Sequence, residues 1–437
     1  HLFAGRFQGG TYSGDGRINL TGDVRFGSEF IFEAGTITNE TALHVVETSE
    51  SVLLEGDVTF DGGGWVLMHD RPRFAPAAGG GRLINQDNAF AGTGKIQATL
   101  VNAGTLLADP DIDVGGEAFA STGVMTLWPT VVGDDWTHDG LMEARDGGRV
   151  DMYLVDITGS GDYVLDGGTF RLYGATVSTT GTLTLRNGGS MTLNESSGRE
   201  SSFTAALTKL EAGGTLAGDR TVDGSVLNGG LVDPGESPGR IEIVGDYTQQ
   251  SAGALRVEVE GPPAGQFDEL AVGQAVQLAG TLDLAAQPGA LAEGESVEVI
   301  SGLSVAGRFE TITGGVLGLG EALAVVYEAT GVSVVGAVPG DADLDGDVDI
   351  EDLSLFAAFW DDGLGRCWGE GDFDGDGDVR IEDLSLLASN WGHGAAVGMG
   401  FQEAARAVGV PEPGTLVLTV LLAPIVLGRG RQGRNPR

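Results

Sequence analysis

Cysteine is nearly absent from this 437-residue chain, where Cys367 stands alone. No intrachain disulfide can form, zinc fingers are excluded, and cysteine usage says nothing about redox compartment. Lysine is almost as scarce: Lys95 and Lys209 are the only two, and 24 basic residues face 63 acidic ones for a net charge of −39. A surface this acidic repels phosphate backbones, so no nucleic-acid partner is expected. Long helical patterns are missing before residue 350, Pro numbers only 14, and Gly, at 75, is abundant without the Gly-X-Y period of collagen. From His1 onward the first residues carry neither a basic nor an apolar leader region. Any export signal is expected to have been removed or to lie outside this sequence, and export has to be argued from the other end. No phosphate-binding loop and no H-E-x-x-H motif occurs. One polar cluster, Asp134, Asp135, His138 and Asp139 around Trp136, reads as a turn between strands, and the chain reads as leaning away from an enzyme without excluding one.

What is present is a succession of short apolar runs. Through residue 230 they alternate with period 2 and are separated by Gly, Asn and Asp, as in "GDYVLDGGTFRLYG" and "TGTLTLRNGGSMTL". Each run is too short to be stable alone; stacked coils bury such runs, and turn glycines suit the corners. The expected fold is mainly β: a right-handed parallel β-helix (solenoid) over residues 1–230, with its C-terminal rungs or a small β module over 231–336. A β-sandwich is the competing arrangement. The stretch "LINQDNAFAGTGKIQATLVNAGTLLA" (Leu83 to Ala108) resembles repeats of bacterial surface β-helix proteins of the adhesin and autotransporter type. Gly229 to Gly261 is similar to the closing rungs of such passenger helices: Pro234-Gly235 and Pro238-Gly239 bracket a turn, and Asp246-Tyr247 follows.

Residues 341–352 crowd seven carboxylates into "DADLDGDVDIED", and residues 372–383 repeat the pattern as "DFDGDGDVRIED", the two stretches carrying charges of −7 and −5. Neighbouring carboxylates repel unless a cation sits among them. The spacing fits the calcium-loop template, with oxygen donors at alternate positions, Gly at 6 and an acid at 12. In the first loop Asp341, Asp343 and Asp345 take positions 1, 3 and 5, Asp347 gives its carbonyl at 7, Asp349 reaches through a water at 9 and Asp352 closes at 12. In the second, Asp372, Asp374 and Asp376 take 1, 3 and 5, Asp378 takes 7 and Asp383 takes 12, while Arg380 replaces the acid at 9 and is expected to weaken that site. Two bound Ca²⁺ ions are therefore expected. After each loop a helix is expected, with Ile350, Leu353, Ala357 and Trp360 on one face and Ile381, Leu384, Ala388 and Trp391 on its twin. Two such stripes meeting antiparallel would make a mini-core too small to be robust without metal, with both tryptophans in or near it.

Residues 340–394 thus resemble a type I dockerin, a small all-α calcium-binding module of duplicated loop and helix, with Asp at position 12 as in that family. The resemblance implies a cohesin-like domain as partner, or a polysaccharide assembly. At loop positions 10 and 11, where the family often carries small hydroxyl residues that touch a cohesin, this chain has Ile350 and Glu351, then Ile381 and Glu382. That departure argues against cohesin docking of the usual kind. Residues 395–409 read as a linker. Over 410–437, Pro411-Glu412-Pro413 precedes a C-terminal hydrophobic helix, thirteen largely apolar residues from Thr415 to Leu427 broken by Pro424, and then Arg429, Arg431, Arg434 and Arg437. The segment is shorter than the roughly 20 residues of a bilayer-spanning helix. Its order resembles the PEP-CTERM sorting signal, which implies processing by an exosortase-like membrane enzyme and a transient or permanent membrane anchor. The expected function is an exported structural or adhesion protein of the cell surface or extracellular matrix; the alternative is a carbohydrate-active enzyme, or a component of a polysaccharide-degrading assembly, attached through its dockerin.

Overall fold

The computed structural model describes residues 2–7, 10–12, 17–26, 30–46, 51–69, 72–114, 117–120, 122–132, 134–235, 238–318, 320–395 and 398–408. The chain is mainly β, with long parallel sheets consistent with a β-helix or solenoid body. Period-2 alternation decides which side chains go inside: in Thr169–Tyr173, Phe170 and Leu172 are fully buried between half-buried Thr169, Arg171 and Tyr173. Three strands make one coil. Phe74 of Arg73–Pro76 lies between Val52 and Ile96, Leu83 of Arg82–Asn85 between Val58 and Leu100, and Phe90 of Ala89–Gly92 between Val66 and Leu106. Each coil therefore hands its backbone edge to the next, and its inward side chains join one core that runs from Phe32 to Val334.

Corners stack as closely as strands do. Leu141 N–H donates to Gly104 O (3.0 Å), and a Cβ at Gly140 would stand 1.9 Å from that same oxygen, so only glycine fits there. Beside this corner runs a buried polar ladder. Asn85 Nδ2 donates to Asn102 Oδ1 (2.7 Å), Asn102 Nδ2 lies 2.9 Å from His138 Nδ1, and Asn85, Asn102 and His138 are each about 1% exposed. An amide ladder of this kind satisfies polar groups that the corner geometry forces inside. Farther along, Asn228 donates to Tyr247 Oη (3.0 Å) and Gln249 Nε2 to Thr281 O (2.9 Å), continuing the same device.

The stacking passes residue 230 without a break: Ser202–Leu210 pairs with Ser225–Asn228, which pairs with Tyr247–Gln249. The end of the body is different. Gly331–Ala337 runs antiparallel to both Ser296–Ser301 and Glu321–Tyr327, closing the parallel stack with a small antiparallel meander. Two acidic loops follow, leading into helices α1 (Ile350–Phe359) and α2 (Ile381–Asn390), and a third helix, α3 (Phe401–Val408), lies within the stretch expected to be a linker. Among the described residues no helix is long and apolar enough to cross a membrane. The expected sorting signal at 410–437, with its hydrophobic helix, lies outside the described residues.

The expected stripe makes up part of the buried face: Leu353 and Leu384 are in the core, and Ile350, Trp360 and Trp391 pack against it. Leu353 with Phe356 in α1, and Leu384 with Leu387 in α2, are buried, whereas Ile381 is 38% exposed and Ala357 and Ala388 are half-buried. The reason is the partner: α1 packs on α3, and the helices share one core with Ala322, Ala324, Ala337 and Val338 of the β body. Trp360 and Trp391 pack at the rim of that core.

Burial pushes the His138 imidazole down from 6.5 to about 4. The unfolded chain therefore takes up this proton more readily, so His138 costs stability as pH falls from 6.5 toward 4 and has no effect above 6.5. His138→Asn, which keeps a ladder amide, should remove about 3 kcal/mol of that acid-side loss relative to the parent. Denaturant unfolding at a series of pH values checks this; parallel pH curves for parent and variant would contradict it.

Candidate metal site in the acidic loops

The loops fold alike because their backbones turn at the same two places. Positions 4 and 6 are left-handed in both: Leu344 (φ +59°) and Gly346 (φ +93°), then Gly375 (φ +82°) and Gly377 (φ +89°). These turns aim backbone N–H groups inward. Asp341 accepts from Asp345 N (3.2 Å) and Gly346 N (3.1 Å), and Asp372 accepts from Gly375 N (2.9 Å) and Gly377 N (3.1 Å). At position 12, Asp352 accepts from Ala342 N (2.7 Å) and Asp349 N (2.8 Å), and Asp383 from Phe373 N (2.8 Å) and Arg380 N (3.0 Å). Reciprocal backbone bonds then clasp the halves: Gly392 N donates to Val348 O (2.8 Å), and Asp361 N to Val379 O (3.0 Å).

Positions 1, 3 and 12 converge in both loops. Asp341, Asp343 and Asp352 offer carboxylate oxygens within 4.8 Å of one another, as do Asp372, Asp374 and Asp383, and Asp347, Asp349 and Asp352 form a further group in the first loop. The carboxylates at positions 5 and 9 also accept local backbone N–H groups. Asp345 Oδ1 and Asp376 Oδ1 accept from the N–H groups of Asp347 and Asp378 (each 3.0 Å), and Asp349 Oδ1 accepts from Glu351 N (2.7 Å) as the N-cap of α1. Arg380 Nη1 pairs with Asp378 at 2.5 Å, so its charge goes to position 7 and not into the 1-3-12 group.

Burial pushes the carboxyls of Asp341, Asp352 and Asp383 up to about 6. Asp372 is pushed up to about 8, by burial first and then by the charge of Asp383 beside it. Among the described residues no Lys, Arg or His forms an ion pair with Asp341, Asp343, Asp352, Asp372, Asp374 or Asp383. Buried carboxylates packed this closely cannot all be ionised without a cation between them. A donor set made wholly of hard oxygen fits Ca²⁺ and not a soft metal.

Several contacts had no signal in the sequence. Trp368 Nε1 donates to Asp341 O (2.6 Å), anchoring the first loop through a 3-10 turn, Trp368–Glu370. The second loop sits on the edge strand Thr311–Thr313 of the body, where Ile312 N donates to Gly375 O (2.7 Å). His44 Nδ1 and His69 Nε2 lie 3.0 Å apart, a pairing legible only once strand register is known. Around residue 136 the polar cluster disperses: Trp136 and His138 are buried, and Asp139 caps Ser160 N (2.8 Å). The pentapeptide Gly235-Glu236-Ser237-Pro238-Gly239 spells the G-x-S-x-G of a nucleophile elbow. It connects strands Leu231–Asp233 and Arg240–Ile243, without the strand-to-helix turn that an elbow needs, and Glu236 and Ser237 lie outside the described residues. No model of a known protein family matches the chain, and no curated protein matches it.

A Cβ at Gly375 would stand 2.5 Å from Ile312 O, whereas Gly363, at φ +88°, has nothing nearby. Gly363→Ala should cost about 1 kcal/mol from backbone conformation alone, and Gly375→Ala at least about twice that, because the loop must also move off the strand. Chemical denaturation of the full chain with calcium present compares them, and equal losses would contradict the contact.

Proposed function

We propose that this chain is an exported protein of the cell surface or extracellular matrix, in which a right-handed parallel β-helix ends in a calcium-binding, dockerin-like module. The observation that carries the reading is the duplicated donor set, Asp341, Asp343 and Asp352 against Asp372, Asp374 and Asp383, in which the position 6 N–H donates to the position 1 carboxylate of both loops. Right-handedness follows from the near-universal hand of parallel strand crossovers. In each loop the position 1, 3 and 12 carboxylates would hold the ion, with the position 7 carbonyl and, at Asp349, a bridging water. Calcium supplies the positive charge that lets these buried acids ionise together. The residues themselves fix the loop: Asp352 and Asp383 tie its start to its end, and Asp349 starts α1.

The body is read as a rigid spacer that carries surface for adhesion, with a polysaccharide or a cohesin-like domain as partner. Residues 410–437 are read as the sorting signal, processed near Pro411-Glu412-Pro413 by an exosortase-like membrane enzyme while the arginines remain on the cytoplasmic side.

Calcium must displace protons from carboxyls held at about 6 and about 8, so affinity should rise with pH across that window. Without metal the sign reverses, because the folded loops bind more protons than the unfolded chain and lose stability as pH rises from about 4 to about 8. Calorimetric titration of the chelator-treated full chain should show two sites at neutral pH, at least about tenfold weaker at pH 5.5. Asp341→Asn and Asp372→Asn should each remove one. Absence of calcium heat, or affinity indifferent to pH, would refute the calcium reading.

A further inference from the structure

The wall of the body is breached on one side. Strand Ser190–Asn194 pairs with Thr169–Tyr173 and, among the described residues, with no later strand. Phe170 and Leu172 are fully buried, yet Leu193, which occupies the register of Leu172 one coil on, is 43% exposed. The next strands on that side, Thr215–Ala217 and Arg220–Val222, belong to separate sheets. Between them opens a cleft of about 300 Å³ that reaches core residues, walled by Leu185, Met191, Leu193, Phe203, Leu216 and Val222. Its size is that of a small-ligand pocket.

Arg220 also lines this cleft. In a chain with 63 acidic residues, its guanidinium has no ion pair and no side-chain hydrogen bond among the described residues. Of the carboxylates close to it in the fold, Asp219 accepts from Arg240 N (2.6 Å) and Glu269 pairs with Arg240 Nη1 (2.8 Å), while Glu242, exposed on the adjoining strand, makes no ion pair with Arg220. Arg220 is itself exposed, partial desolvation lowers its pKa, and an arginine in this setting stays charged. An unpartnered cation beside an apolar cleft selects for a ligand carrying one anionic group on an apolar chain.

We propose that the cleft between Ser190–Asn194 and Arg220–Val222 binds an amphiphile with a single anionic head group, a carboxylate held by Arg220 and an unbranched acyl chain lying on Leu193, Met191 and Leu216. The site is independent of the acidic loops. Decanoate, kept below its micelle concentration, is the probe, and decyltrimethylammonium is the control of opposite charge. Calorimetry on the full chain should give one decanoate per chain and, for the cationic control, at least about tenfold weaker binding. Arg220→Gln should weaken decanoate by about tenfold or more, and Leu193→Glu, at an already exposed position, should abolish it, both with unchanged β circular dichroism. Absence of decanoate binding overturns the proposal. So does equal binding of the two amphiphiles, or decanoate affinity unmoved by Arg220→Gln, since either marks the cleft as an apolar sink with no anion recognition.

Discussion

Parallel backbone pairing between successive coils is the constraint on which the rest of the molecule depends. In the parallel stack each short strand gains its hydrogen bonds from the coils before and after it, so the stack stays stable in its middle and vulnerable at its ends. At the C-terminal end, the antiparallel meander covers the edge of Ser296–Ser301, and the acidic module covers another. Ile312 N of the edge strand Thr311–Thr313 finds its acceptor in Gly375 O, inside the second loop. Asn390 Nδ2 on Pro339 O (2.8 Å) and Arg308 with Glu370 (2.9 Å) add to the same junction. The loops thus have a mechanical part to play in the fold, separate from any partner they meet.

That junction joins two opposed electrostatic demands. The module must bury Asp341, Asp352, Asp372 and Asp383 to build its core against the body, and burial works against their charge. Backbone N–H donors relieve part of this, and a bound cation would relieve the rest. In the body the fully buried Asp268 meets the same demand, its carboxyl pushed up to about 6 and accepting from Gly239 N and Glu258 N. Elsewhere within the body, the same problem of polar groups forced inside is met differently, by neutral amides that bond to one another and by an imidazole kept uncharged.

The period-2 runs and the glycine-rich corners made the β architecture readable, because each strand's inward residues are written into four or five letters. The three-strand coil was not readable, since corner lengths vary: a whole hairpin, Asp111–Val114 with Glu117–Ala120, is inserted between Thr105–Ala108 and Val124–Leu127, and Ile112 packs it onto Leu67, Ala91 and Leu107. The competing β-sandwich could be set aside only through register such as Phe74 with Ile96, a parallel pairing. In the acidic loops, the convergence at positions 1, 3 and 12 was legible because spacing alone enforces it. Leu353 and Leu384 were legible as helix core, but Phe356 and Leu387 were not, because a stripe read along one helix takes no account of its partner: both join a core shared with the β body and α3.

The central claim is that the second loop, ordered by calcium, clamps the last strand of the stack. Hydrogen exchange at the amides of residues 311–313, followed in the full chain with calcium and after chelation, tests it most directly. The account predicts that chelation speeds exchange at Ile312 in step with the amides of Gly375 and Gly377. Protection of Ile312 that survives chelation while the Gly375 and Gly377 amides exchange freely would contradict it.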